Sequence, residues 1–298
     1  MSPTAITLIL IAAVAHASWN LFSKQAAQTG AISFIWLAAT AGTLLYIPVI
    51  AVAWAGGWLH LTALGWVFMA GTGVLESAYF VFLQSGYRLG DLSLVYPVGR
   101  GTGALLAAVA GIAFLGERPG PVAIGGIIAV VAGIALIGAP AQASAGPPAP
   151  PGHSEPASTV PAIGFALATG VFIASYTLWD RYAVATLGTS ALLQGYATFP
   201  FMAVVFALPA RRAADRTALV WHRYRLQVVG AAVLMPLAYI LVLAALAFTA
   251  VSVVAPAREV SVLFGVLMGG RLLGEGSVAR RLTAAVAIAA GIIAIAVG

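Results

Sequence analysis

Polar residues interrupt this chain only at intervals, and between them run apolar blocks long enough to be membrane spans. A helix crossing a bilayer core of about 30 Å needs roughly 20 consecutive, mostly apolar residues. The blocks therefore predict ten transmembrane helices, over residues 5–22, 31–54, 63–85, 92–115, 121–139, 161–179, 189–209, 227–247, 252–273 and 278–297. The connections are short and leave no room for an extramembrane domain. One differs: residues 140–161 hold seven of the sixteen prolines and no long apolar run. Such a composition disfavours helix and favours an extended, solvated linker. The expected organisation is a first five-helix unit over 1–139, a linker over 140–160 and a second five-helix unit over 161–298.

The two units resemble each other. Helix 4 opens Ser93-Leu94-Val95-Tyr96-Pro97 and helix 9 opens Ser252-Val253-Val254-Ala255-Pro256. Downstream, Leu115-Gly116-Glu117 matches Leu273-Gly274-Glu275, and Gly133-Ile134 matches Gly291-Ile292. Helix 1 carries Ser18-Trp19-Asn20 through Lys24 where helix 6 carries Ser175-Tyr176-Thr177 through Arg181, and Ala78-Tyr79 is echoed by Ala238-Tyr239. The offsets stay between 157 and 160 residues, a constancy that chance matching of apolar text does not readily produce. Because five is odd, the second unit enters the bilayer in the opposite orientation. The expected fold is thus an all-α membrane protein of ten transmembrane helices, built as two inverted five-helix repeats, an architecture found in transporters with a site near the midplane.

Composition agrees and narrows the classes. Hydrophobic residues make up 62% and charged residues 7%, against about 25% charged in a soluble domain. So few charges cannot cover a globular surface in water, which excludes a soluble enzyme, a nucleic-acid-binding domain and a disordered chain. The net charge of +6 comes from basic residues between apolar blocks, where lipid headgroups and orientation account for them. With no cysteine there is no disulfide and no thiolate nucleophile or metal ligand. The step Ala15-His16-Ala17 looks like a signal-peptide cleavage site, but no Lys or Arg precedes the apolar run, which favours a first span. Loops on the amino-terminal side of the spans hold Arg118 and Arg181. Those opposite hold ten basic residues: Lys24, Arg88, Arg211, Arg212, Arg216, Arg223, Arg225, Arg271, Arg280 and Arg281. By the positive-inside rule, this bias puts both termini outside the cytoplasm.

The five-plus-five helices, the prolines early in helices 4 and 9, and above all the Leu-Gly-Glu hairpins at 115–117 and 273–275 resemble EamA-type members of the drug/metabolite transporter superfamily. The resemblance covers nearly the whole chain outside the linker. It implies a basket of ten helices around a central cavity, moving small metabolites such as amino acids, usually outward. It also implies cytoplasmic termini, opposite to the charge count, and the linker is longer and richer in proline than the family pattern.

Four charged residues fall inside the expected spans: Glu76, Arg100, Arg258 and Glu259. A charge at the bilayer centre costs at least about 2.5–3.5 kcal/mol, so each needs a partner or a wet cavity. Glu76 and Arg100 sit on helices adjoining in sequence and are the natural pair; the alternative role for all four is to lock helices together without touching substrate. Pro97 and Pro256 each remove a backbone donor and can break the helix near the midplane; a packing kink is the other reading. On helix 1, His16, Asn20 and Lys24 share one face with Trp19 and Ser23 beside them, and Lys24 can snorkel to the interface. Trp19 also suits an interfacial anchor. Tyr176 with Thr177 stands at the matching place in helix 6, and Tyr79, Tyr96 and Tyr239 complete the candidate cavity lining. Glu76, Glu259 or His16 could carry a driving proton, since their ionisation responds to access to water.

Other patterns carry less. Gly99-Arg100-Gly101-Thr102-Gly103 lacks the strand context and Lys-Ser/Thr ending of a phosphate loop. Its small residues, like Gly125, Gly126, Gly133, Ala287 and Gly291, suit close helix approach. The arginines of 211–225 suit a headgroup-facing loop, and His60, His153 and His222 stand alone, so no metal site and no cofactor are expected. The leading function is a secondary transporter, exporting small polar or amphiphilic metabolites by alternating access in a bacterial inner or plasma membrane. Expected partners are the small-molecule substrate and membrane lipids, with no nucleic acid, in a monomer or weak homodimer. An integral membrane enzyme for lipid or isoprenoid substrates is the alternative, and needs more clustered acids or histidines than this chain has. A non-transporting sensor or assembly subunit gives no reason for the paired intramembrane charges.

Overall fold

The computed structural model describes residues 1–89, 92–138, 159–261 and 278–298, and within these some side chains, among them those of Lys24, Arg88, Tyr96, Pro97, Arg280 and Arg281, are not described. Most of the linker, residues 262–273 of the ninth expected span and the Leu273-Gly274-Glu275 motif lie outside the described residues. Every regular element among the described residues is a helix. That follows from the apolar blocks: in lipid the backbone must satisfy its own polar groups, and a helix does so within one segment. The elements are α1 (Pro3–Ala55), α2 (Ala63–Leu89), α3 (Leu92–Phe114), α4 (Pro121–Gly138), α5 (Thr159–Ala185), α6 (Ala191–Val205), α7 (Ala207–Arg212), α8 (Ala214–Phe248), α9 (Val251–Ala257) and, as α10 here, Val278–Val297.

Five segments are long and apolar enough to cross a membrane: Pro3–Ser23, Thr29–Ala55, Ala63–Gly86, Val160–Ala185 and Ala214–Leu246. Shorter apolar helices cover Val98–Phe114, Pro121–Leu136, Ala191–Val205 and Val286–Ile295. The first two expected spans are both present within α1, as Pro3–Ser23 and Thr29–Ala55, parted by a kink at Gly30 with an extended backbone (φ 175°, ψ 86°). The arginine cluster at 211–225 is not a loop. It forms α7 and the first turns of α8, with a non-helical residue at Tyr224, and all five arginines are exposed. Arginine is a good helix former, so a polar face toward water or headgroups does not end the helix.

The outside of the bundle is apolar, as lipid requires: Trp54, Trp66, Phe114 and Val204 are each at least 65% exposed. The inside is built largely of small residues, among them Ala38, Ala39, Ala107, Ala231 and Ala232, which let helices approach closely. α1 packs on α8, α2 and α3 on α5, α4 on α10, and α3 on α9. Side chains tie these neighbours through backbone carbonyls. Trp36 Nε1 donates to the Ala203 carbonyl at 3.0 Å, Tyr46 Oη to Val233 at 2.9 Å and Trp179 Nε1 to Phe68 at 2.8 Å.

The tightest approach is between α4 and α10. A Cβ added to Gly126 would lie 2.5 Å from the Gly291 carbonyl oxygen, and one on Gly291 would lie 2.6 Å from that of Gly126. One turn pair further along, a Cβ on Gly133 would meet the Ala284 carbonyl oxygen at 3.0 Å. Here the backbones touch, and only glycine fits.

Candidate substrate cavity

Two carboxylates and two guanidinium groups meet inside the bundle, brought there by the ends and breaks of helices. α9 keeps its helical pattern only to Ala257, one residue past Pro256. The Glu259 amide then bonds the Pro256 carbonyl at 3.0 Å, a tighter i to i+3 turn, and Arg258 and Glu259 project from this interruption. Across from it, α3 runs unbroken through residue 97 and presents Arg100. Arg100 Nε and Nη2 donate to the two oxygens of Glu259 at 2.8 and 3.0 Å, with Glu259 fully buried. Nη2 also reaches Ser261 Oγ at 3.4 Å, and Arg258 Nε adds a longer contact to Glu259 at 3.4 Å. The expected pairing of Arg100 with Glu76 thus gives way to Arg100–Glu259. Helices adjoining in sequence are not the relevant neighbours; α3 and α9, far apart along the chain, pack against each other.

His16 stands on the other side of Arg100, with Nη1 at 3.1 Å from its Nε2. A guanidinium only donates, so Nε2 must accept, and the imidazole is held neutral with its proton on Nδ1. Trp19 packs edge-on against His16 at 5.0 Å between centroids. The Arg258 guanidinium carbon lies 5.8 Å from the Tyr176 ring centroid, in reach of a cation–π contact. Tyr176 contacts Tyr79 and Tyr239 edge-on at 6.0 and 6.3 Å.

These groups line a cavity of about 60 Å³. His16, Trp19, Glu76, Tyr79, Arg100, Tyr176, Tyr239 and Arg258 line it, with Phe80, Phe199 and Met235 on its apolar side. A polar space of that size admits water, which meets the requirement that intramembrane charges be paired or wet. Of the remaining candidates, Asn20 donates to the His16 carbonyl of its own helix at 2.7 Å. Thr177 likewise bonds the Ile173 carbonyl of its own helix at 2.6 Å. Glu259 lies behind the lining as counter-ion, and Pro256 is buried in α9. Tyr96 and Pro97 belong to α3, and their side chains lie outside the described set.

Sequence reasoning missed a further buried charge. Asp180 is fully buried, and α5 carries it because that helix runs to Ala185, six residues past the expected end at 179. Its Oδ1 accepts from Thr72 Oγ1 and from Gln194 Nε2 at 3.0 Å, and its Oδ2 accepts from Tyr239 Oη. The polar residues Thr72 and Gln194, standing alone in apolar blocks, were the available signal. Glu117 was also passed over as a group with a task of its own. Its two carboxylate oxygens accept from the Val251 and Ser252 amides at 2.7 and 2.8 Å, capping the first turn of α9. Gly116 makes the preceding turn in the left-handed region, at φ +67°.

A helical bundle with apolar flanks and five segments long and apolar enough to cross a bilayer is that of an integral membrane protein. Residues 3–139 match the model of the EamA-like transporter family. Among solved structures, one described as "Crystal structure of protein" has a TM-score of 0.69 at 19% identity, covering 99% of this chain and 96% of that one. At that identity the likeness shows a common fold. No curated protein matches the sequence significantly.

Proposed function

We propose that the protein is a secondary transporter that exports small zwitterionic or amphiphilic metabolites, amino acids among them, by alternating access between two inverted five-helix repeats. The observation that carries this reading is the arrangement of unlike charges around one cavity. Arg258 is 8% exposed, and its Nη2 has no hydrogen-bond partner among the described residues. Glu76 lines the same cavity and is partly exposed to it. A carboxylate on Arg258 and an ammonium on Glu76 would satisfy both, with the substrate's apolar part among Trp19, Tyr79 and Phe199.

The inverted repeat draws support from contacts that exchange under it. The offset that relates Gly133 to Gly291 also relates Gly126 to Ala284, and the α4–α10 approaches are Gly126 with Gly291 and Gly133 with Ala284. A two-fold axis between the halves swaps these two pairs. The contacts of α1 with α8 and of α2 with α5 are related in the same way. The family match over residues 3–139 supports transport as the activity.

The experiment is a metabolite-wide efflux comparison between cells overproducing the protein and cells lacking it, followed by counterflow of the enriched compounds into proteoliposomes. Enrichment of zwitterionic compounds, with counterflow lost in Arg258→Gln, is the expected result. Absence of counterflow for every zwitterion tested would sink the reading.

A further inference from the structure

The arginines of α7 and of the first turns of α8 have no part in the cavity, yet they are held in a defined place. α7 ends on Arg211 and Arg212, and α8 leaves helical geometry at Tyr224 (φ −125°, ψ 26°). On the membrane side of that break, α8 packs on the second span of α1. Tyr46 Oη donates to the Val233 carbonyl, and a Cβ on Gly42 would lie 3.0 Å from the Ala232 carbonyl oxygen. On the other side, the residues before Tyr224 are tied to the same helix. Thr217 Oγ1 meets Ser33 Oγ at 2.8 Å, and Val220, fully buried, packs against the kink of α1, with Cγ2 3.3 Å from where a Cβ on Gly30 would lie. Thr217 also closes the turn from α7, donating to the Ala210 carbonyl at 2.9 Å.

These contacts fix a depth. At 1.5 Å per residue, Thr217 would stand roughly 22 Å from Ala232 along a straight helix, whereas Ser33 stands roughly 13 Å from Gly42. Segment 214–223 is therefore bent over beside the kink of α1, level with the start of the Thr29–Ala55 span. That is the height of the headgroup layer, roughly 5–7 Å thick on each side of the hydrocarbon core.

The side chains suit that layer. Val220, with Thr217 and Tyr224 partly buried, forms the face against α1. Arg216, Leu219 and Arg223 follow at steps of three and four, share a flank and are exposed. Arg212 joins Arg216 in the cleft at the α7–α8 turn, which Asp215 also lines. Leu219, Trp221 and Leu226 stand exposed among the arginines. Hydrocarbon does not accept the arginines and water does not favour the apolar surface; a headgroup layer accepts both. Five arginines against one aspartate over 211–226 make the surface strongly positive.

We propose that α7 and segment 214–223 of α8 form a docking surface for anionic phospholipids, with lipid phosphates held by Arg212, Arg216 and Arg223 and Leu219 entering the interface beside them. A guanidinium gives a phosphate two parallel hydrogen bonds, and an anionic lipid brings the net charge that a zwitterionic one lacks. Such binding does not rest on the transport function proposed above.

The test titrates the full-length protein in mild detergent with phosphatidylglycerol, phosphatidylcholine and millimolar inorganic phosphate, counting bound lipid by native mass spectrometry. Phosphatidylglycerol is expected to bind the more tightly of the two lipids. In the triple variant Arg212→Gln, Arg216→Gln, Arg223→Gln its affinity is expected to fall about 100-fold, at roughly fivefold per arginine. Arg118→Gln, exposed in the α3–α4 connection, is expected to keep it. Equal binding of the two lipids, or an unchanged affinity in the triple variant, overturns the proposal. Displacement of the lipid by inorganic phosphate also overturns it, making the surface a site for a free anion. A second measurement needs no arginine variant: Leu219→Cys supplies the sole thiol of the chain. A fluorophore there should be quenched in phosphatidylglycerol vesicles by lipids carrying a nitroxide on the headgroup. Fluorescence indifferent to the nitroxide would place the segment in water and overturn the proposal.

Discussion

Arg100 and Glu259 lie 159 residues apart and close on each other through two hydrogen bonds, at 2.8 and 3.0 Å, where almost no surface remains exposed. They join α3 of the first half to the break after α9 in the second. A buried ion pair of this kind contributes little over a well-packed apolar pair, but removing one partner strands the other.

Arg100→Leu is therefore expected to destabilise the protein by about 3–5 kcal/mol. The double variant Arg100→Leu with Glu259→Leu should recover part of that loss, because the carboxylate is no longer stranded, the remainder being the contact that Arg258 loses with Glu259. Thermal unfolding in detergent measures both. Equal damage in the single and double variants would show that the pair is not the energetic unit.

Glu117 satisfies two amides at the start of α9. Glu117→Ala should lower stability by about 0.5–2 kcal/mol, the range for loss of a helix cap. Glu117→Gln, which keeps one acceptor oxygen, should fall between Ala and the wild type. The readout is the thermal midpoint of the three proteins side by side.

Two adjacent glycines should behave oppositely. A Cβ on Gly126 would collide with the Gly291 carbonyl, whereas a Cβ on Gly125 meets nothing within 4 Å. Gly126→Ala is expected to cost about 1–3 kcal/mol through overpacking. Gly125→Ala should be neutral or gain up to about 1 kcal/mol from helix propensity. A similar loss at both positions would argue against a close α4–α10 contact.

The chain has no cysteine, so single introduced thiols report water access directly. Glu76→Cys and Met235→Cys face the cavity and should react with a small water-soluble thiol reagent. Ala166→Cys and Ala231→Cys, fully buried away from it, should not. Labelling of the second pair as fast as the first would remove the cavity.

The membrane-spanning character was plain in the sequence because lipid makes long apolar blocks obligatory, and the described helices follow those blocks closely. Partner choice was not. Arg100 was assigned to Glu76 by adjacency along the chain, yet the contact runs from α3 to the break after α9, which only packing reveals. Asp180 was missed because a charged pair, Asp180-Arg181, looks like a helix end. In the structure Arg181 finds a backbone carbonyl and Asp180 finds three neutral donors, so α5 carries both past the expected boundary. The arginines at 211–225 misled in the opposite sense: their charge pointed to a loop, while their backbone is helical.

The carboxylate of Glu117 waits long for its partners. The ribosome completes it 134 residues before the Val251 amide that it caps, and Arg100 precedes Glu259 by more. During synthesis the first half must therefore enter the bilayer with both groups unmatched, and only the arrival of the second half matches them. The order of translation thus gives the late segment the part of a keystone: a chain stopped before residue 251 keeps its early helices but lacks the groups that reconcile their charges with lipid.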